Sequence, residues 1–245
     1  MVWLLLGVSS ISWFISSLAG GGSPLILIPV ASLFLGAAAV PPIITLGMLC
    51  GNSQRIWLYR DNIDATVTRW YVPGAIVGAV LGAFAFSRMQ ITWLSLLLGL
   101  FLIASIFTYN LSQQVSAFRV RAWYFLPAGF IYAFLSGLIG STGPLLNPFY
   151  LNYGLNKDEL IGTKSLGVSV VHAVKILAYI AFGVFTKEYF LYGVLIGVGA
   201  LPGNWLGRRV LDSMGEQRFR QVVMAFVAIS GALLLWDQRQ VLGLS

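Results

Sequence analysis

Three ionisable side chains stand inside one apolar run. Lys164, His172 and Lys175 fall within residues 160–182, where Thr163, Ser165 and Ser169 supply most of the remaining polarity. If the run is helical, offsets of 8 and 11 residues bring all three near one face. An ionisable group at membrane depth is costly and marks a functional path by default. Two lysines suit an anion. At about 1.5 Å per residue they stand about 16 Å apart, too far for one small anion to touch both, so they read as successive points on a path. Lys164, near the end of the run, could instead snorkel to the interface. His172 has the chemistry to titrate near neutral pH, or to serve as an ordinary hydrogen-bonding core residue.

A second kind of chemistry lies in two glycine-rich stretches, Gly20-Gly21-Gly22-Ser23-Pro24 and Gly140-Ser141-Thr142-Gly143-Pro144. Each separates two apolar runs. Glycine permits backbone angles and close approaches that other residues resist, and a proline just beyond fits the first turn of a new helix. Each stretch therefore predicts an elbow between two helices, tolerated at membrane depth only where protein or a watery cavity covers it. Paired interruptions of this kind point to a transporter's binding site. The free N–H groups of the outgoing helix favour an anion. This makes Gly21, Gly22, Ser23, Ser141, Thr142 and Gly143 candidate binding residues, with Asn52 and Asn147 as further donors. The plainer alternative is that the glycines only let helices cross closely.

The elements that must position these groups are membrane helices. Of 245 residues, 58% are hydrophobic and 9% charged, against about a quarter charged in a soluble domain. Continuous apolar runs exclude a membrane β-barrel, whose strands alternate. The net charge of +7 lies in loops and reads as an orientation signal, with no nucleic-acid module to use it. The single cysteine, Cys50, excludes an internal disulfide and a cysteine-rich metal site. The opening Met1-Val2-Trp3-Leu4 lacks a basic region and is expected to begin a first helix, not a cleaved signal peptide. Ten apolar segments follow, over 2–19, 24–36, 41–58, 70–86, 92–109, 122–139, 144–154, 160–182, 188–207 and 219–236. The second and seventh are short, so they are half-helices, tilted pieces or re-entrant arms.

The segments fall into two fives. Pro144 stands 120 residues after Pro24, while Gly78, Gly82 and Met89 match Gly203, Gly207 and Met214 at a spacing of 125. The predicted fold is an all-α polytopic membrane protein of two inverted repeats, each with one elbow. Residues 1–110 form the first repeat, 111–121 a cytoplasmic linker and 122–245 the second repeat. Charge supports inversion. Arg55, Arg60 and Arg69 mark the loop after segment three, whereas its counterpart carries only Lys187 and the following loop carries Arg208, Arg209, Arg218 and Arg220. Since basic residues gather inside, corresponding loops lie on opposite sides. Arg119 and Arg121 then fall inside, and both chain ends outside.

Every acidic residue (Asp61, Asp64, Asp158, Glu159, Glu188, Asp212, Glu216, Asp237) falls in or beside a loop. A sodium or proton site built on a buried acid is therefore not expected, and an anion is. Outward movement of one negative charge is favoured by about 2.3 kcal/mol per 100 mV of inside-negative potential, so export needs no coupling ion. An anion channel would use the same path. An enzyme alternative would pair Ser141 with His172 as a hydrolase dyad, but the first-half stretch repeats the elbow without a histidine. No cofactor, metal cluster or nucleotide loop is indicated. The expected partners are a small anion, the lipid bilayer and, as a candidate, a second copy of the chain.

Gly20-Gly21-Gly22-Ser23-Pro24 and its second-half echo resemble the glycine-rich signature of the sulfite exporter TauE/SafE family. Tyr59-Arg60-Asp61-Asn62-Ile63-Asp64, then Pro73-Gly74-Ala75-Ile76-Val77-Gly78 and Gly82, are similar to the family's first-half loop and glycine-rich helix. Gly162-Thr163-Lys164-Ser165 and Gly203-Asn204-Trp205-Leu206-Gly207-Arg208-Arg209 look like the second-half counterparts. The resemblance covers roughly residues 10 to 236. It implies a multi-pass inner-membrane permease that moves sulfite, sulfonates or related small anions, usually outward. Lys164 stands where many members carry a small or polar residue, and its charge favours a more anionic substrate.

Overall fold

The computed structural model describes residues 2–89, 119–143, 145–215, 217–219 and 221. The expected fifth segment (92–109), most of the linker and nearly all of the tenth segment (219–236) lie outside the described residues. Among the described residues there is no strand. The helices are α1 (Val2–Leu18), α2 (Ser23–Leu35), α3 (Val40–Leu58), α4 (Ala65–Arg88), α5 (Phe125–Ile139), α6 (Asn147–Tyr153), α7 (Lys157–Ala181) and α8 (Lys187–Asp212).

Several helices begin before their apolar runs do, because polar caps lie outside those runs. Asp64 accepts a hydrogen bond from the Val67 N–H at 2.7 Å and starts α4 five residues before the apolar stretch at 70. Asn156 and Glu159 form a reciprocal capping box that starts α7 at Lys157. Thr186 caps α8 through the Tyr189 N–H. The seventh segment, expected over 144–154, contributes a helix of only 7 residues.

Four stretches are long and apolar enough to cross a membrane: Ala65–Arg88, Ala122–Ile139, Lys157–Ala181 and Lys187–Asp212. The third begins and the last ends with charged residues, as spans at an interface do. Helix α3 has 19 residues but is not among the four; its second half carries Asn52, Ser53, Gln54 and Arg55. Trp3, Leu33, Trp57, Ile131 and Leu177 present large apolar surfaces outward. Such an exterior suits lipid, and the chain is a multi-pass helical membrane protein.

Packing follows small residues. Helix α4 lies on α5, α1 lies on α8, α3 touches both α7 and α8, and α7 also contacts α4. The α4–α5 seam is a glycine stripe. Side-chain carbons added at Gly74, Gly78 and Gly82 would collide with the backbone carbonyls of Leu126, Phe130 and Phe134. The α1–α8 seam repeats this. Carbons at Gly199, Gly203 and Gly207 would press on the carbonyls of Leu6, Ser10 and Phe14. Helix contact without a hydrophobic driving force depends on this closeness.

Gly78→Leu is therefore expected to destabilise the fold by about 1–3 kcal/mol or more, the ordinary range for overpacking a filled interface. Val77→Leu, one residue along on an exposed face, should change little. Thermal unfolding of the two purified variants in one detergent compares them.

Candidate functional site

Helix α1 closes at Gly20, whose φ of +64° is left-handed, and the Gly21 N–H reaches back to the Ser16 carbonyl at 2.7 Å. This bond pattern ends a helix and leaves the next residues free to turn. Gly21 and Gly22 continue at φ +126° and +124° before α2 starts at Ser23, with proline in its first turn. Helix α5 closes likewise at Gly140 (φ +98°), its N–H bonded to Ser136 O at 2.9 Å. Gly143 follows at φ +59°, and a carbon added there would sit 3.8 Å from the Gly22 Cα. The two breaks thus meet.

Lys164 reaches the first break from α7. Only 8% exposed, its Nζ donates to Gly20 O at 3.0 Å and to Asn147 Oδ1 at 2.7 Å. Asn147 Nδ2 in turn donates to Ala19 O at 3.4 Å. At φ +126° Gly21 sits where a side chain would be strained, and a Cβ there would also displace the Lys164 ammonium. A cavity of about 20 Å³ lies beside this contact, room for about one water. Gly21, Gly22, Asn52, Arg55, Gly143 and Lys164 are among its lining residues, with Ser16 and Tyr132.

Arg55 is the cation that sequence reasoning placed in the loop. It belongs to the last turn of α3, is 5% exposed and points inward. Its Nε donates to Asn204 Oδ1 at 2.8 Å, and Nη2 donates to Ser17 Oγ at 2.9 Å, Ser16 Oγ at 3.2 Å and Trp13 O at 3.4 Å. The guanidinium also lies 4.7 Å from the centroid of the Trp13 ring. Asn204 is held by Gly51 O at 2.9 Å and Gln54 Oε1 at 3.0 Å. Arg55 is therefore not a loop charge; Arg60 lies between α3 and α4, and Arg69 is exposed in the second turn of α4.

The sequence profile of the sulfite exporter TauE/SafE family matches residues 4–234. The chain belongs to that family. Its members are membrane transporters, and the chain is not an enzyme. It is 27% identical, over 96% of its own length and 91% of the relative's, to the probable membrane transporter protein YfcA of Escherichia coli strain K12. The same values hold for YfcA of Escherichia coli O6:H1 and O157:H7. No solved structure matches the chain.

In this TauE/SafE chain the expected site residues divide. Gly21, Gly22, Asn52, Gly143 and Lys164 share the cavity, and Asn147 joins them through Lys164. Ser23 is buried nearby, its Oγ 3.5 Å from Met48 Sδ. Ser141 and Thr142 lie beside the Tyr132 phenol, though neither hydroxyl is in hydrogen-bond geometry with any described group. Lys175 is elsewhere: fully buried, it donates to Gly140 O at 2.6 Å and Ser136 Oγ at 3.0 Å, at the second break. His172 is fully buried with neither ring nitrogen hydrogen-bonded among the described residues, so no Ser141–His172 dyad is formed. Sequence reasoning missed Arg55, Ser16 and Tyr132 as cavity residues. For Arg55 a signal existed, since it stands 120 residues before Lys175, the same spacing as the two prolines.

Asn204→Leu should cost about 1–3 kcal/mol, because it leaves the buried Arg55 Nε without its acceptor. Ser53→Ala removes only an exposed hydroxyl that bonds within its own helix and should stay within about 0.5 kcal/mol of the native chain. Chemical denaturation in detergent measures both.

Proposed function

We propose that this transporter moves a small sulfur-containing anion, sulfite or a related sulfonate, outward across the inner membrane. The anion binds where the two broken-helix elbows meet. The observation that carries this reading is a buried ammonium, Lys164, at the junction of the breaks, while every described acidic residue stays at a helix end and none is buried. A cation so placed favours an anion and repels a metal ion or a proton. The positive end of α2 adds to the attraction, with Gly22 as its cap and no side-chain cap hydrogen bond there.

The same reading takes the two halves as inverted repeats, joined by a cytoplasmic linker over 111–121. The register of the glycine seams supports it. Gly78 faces Phe130 O and Gly203 faces Ser10 O, so each half's fourth segment rests on the other half's first at matching positions. The other contacts exchange in the same way: α3 with α8, and α7 with α4. Two such halves can rock against each other around a shared site. The cavity, at about 20 Å³, is too narrow for an oxyanion as it stands, which favours a carrier that opens to load over a standing pore. Loading would begin by loosening Lys164 from Gly20 O and Asn147.

Purified protein in liposomes tests this with sulfite, thiosulfate, sulfate, a small sulfonate and chloride. Saturable movement of a sulfur anion is expected, driven by voltage alone. Lys164→Ala should weaken it roughly 10–100-fold, the worth of a charge-assisted hydrogen bond. Native chain that moves none of these anions overturns the reading, and single-channel currents would turn it toward a channel.

A further inference from the structure

Resting on that reading, we infer that the cavity takes a doubly charged oxyanion, its two charges met by the Lys164 ammonium and the Arg55 guanidinium. Both cations line the same cavity and both are buried. All their hydrogen-bond partners are neutral: carbonyl oxygens, serine hydroxyls and the amides of Asn147 and Asn204. None of the described acids is buried, so none offsets them. Two like charges facing one small space repel, and the cost of keeping both out of water is met only in part by neutral dipoles. A singly charged anion would leave one of them unmatched. A dianion matches both.

The donors that remain fit oxygen ligands. Arg55 Nη1 makes no hydrogen bond among the described residues, while Nε and Nη2 are held. Lys164 uses two of its three N–H groups. The Nη1 group and an ammonium lining one cavity suit the several oxygens of a tetrahedral or pyramidal anion. Tyr132 and Ser16 stand on the same wall with hydroxyls.

The second break shows why this position, and not its counterpart, stays available. Arg55 stands 120 residues before Lys175, and Ser16 stands 120 before Ser136. The cation–serine contact recurs, Arg55 Nη2 to Ser16 Oγ at 3.2 Å and Lys175 Nζ to Ser136 Oγ at 3.0 Å. Lys175, however, is also tied to Gly140 O at 2.6 Å and does not line the cavity. Lys164 has Ile44 at the corresponding first-half position, so only the first break gathers two cations.

The test is competition and transport in proteoliposomes at fixed voltage and ionic strength, comparing sulfate and thiosulfate, both dianions, with methanesulfonate, a monoanion. The native chain is expected to prefer the dianions by at least about tenfold. Arg55→Gln and Lys164→Gln should each erase or reverse that preference by weakening the dianions at least about tenfold more than methanesulfonate; Arg55→Lys should retain it. Native chain that handles methanesulfonate as well as the dianions overturns the double-charge assignment and leaves the anion-transport reading standing. Preference unchanged in a well-folded Arg55→Gln overturns the part given to Arg55. If that variant does not fold, the native ratio and Arg55→Lys decide. Failure to move any sulfur anion removes the transport reading itself.

Discussion

An ammonium group held out of water needs oxygen atoms around it, and a helix that stops inside a protein leaves carbonyl oxygens without partners. Helix α7 brings these two needs together twice. Lys164 meets Gly20 O where α1 ends, and Lys175 meets Gly140 O where α5 ends. Each lysine stands at the negative pole of the helix it closes, the favourable place for a cation. Helix α7 thus supplies a donor to a carbonyl at each break. The rest of the structure is arranged to keep α7 in reach of both.

That arrangement is made by small residues. The glycine seams let α4 approach α5, and α8 approach α1, to backbone contact. The same helices flank α7 and α3, since α4 contacts α7 and α8 contacts α3. A side chain in either seam would move a helix outward and draw the lysines away from their carbonyls. The placement of the two lysines thus depends on residues that have no side-chain functional groups.

The two lysines are equal in composition and unequal in consequence. Lys175 is enclosed, with a carbonyl, a hydroxyl and the Tyr179 ring around it. Lys164 borders a cavity that also admits Arg55. A cation can hold a helix end or hold a ligand, and the difference lies in whether space and a second donor stand beside it. The neutral network around Arg55, built from Asn204, Ser16, Ser17 and the Trp13 ring, orients the guanidinium without neutralising it. An acid there would strengthen the fold and cancel the charge.

The sequence by itself determined the membrane class, the two breaks and the unusual cations of α7. These are local properties: apolar runs announce spans, glycine with proline announces interruption, and a lysine among apolar residues stands out wherever it points. The sequence did not reveal the start of α4 or α7, because Asp64 and Asn156 cap from outside the apolar runs. Nor did it reveal Arg55, which at a helix end looks like any interfacial charge. Only the tertiary structure decided that Arg55 turns inward, because its partner Asn204 lies on α8, 149 residues further along the chain. It also placed Lys164 on the cavity wall and left Lys175 and His172 away from it. Which cation borders empty space depends on which helices lie beside it, and that follows from long-range packing, not from the spacing along one helix.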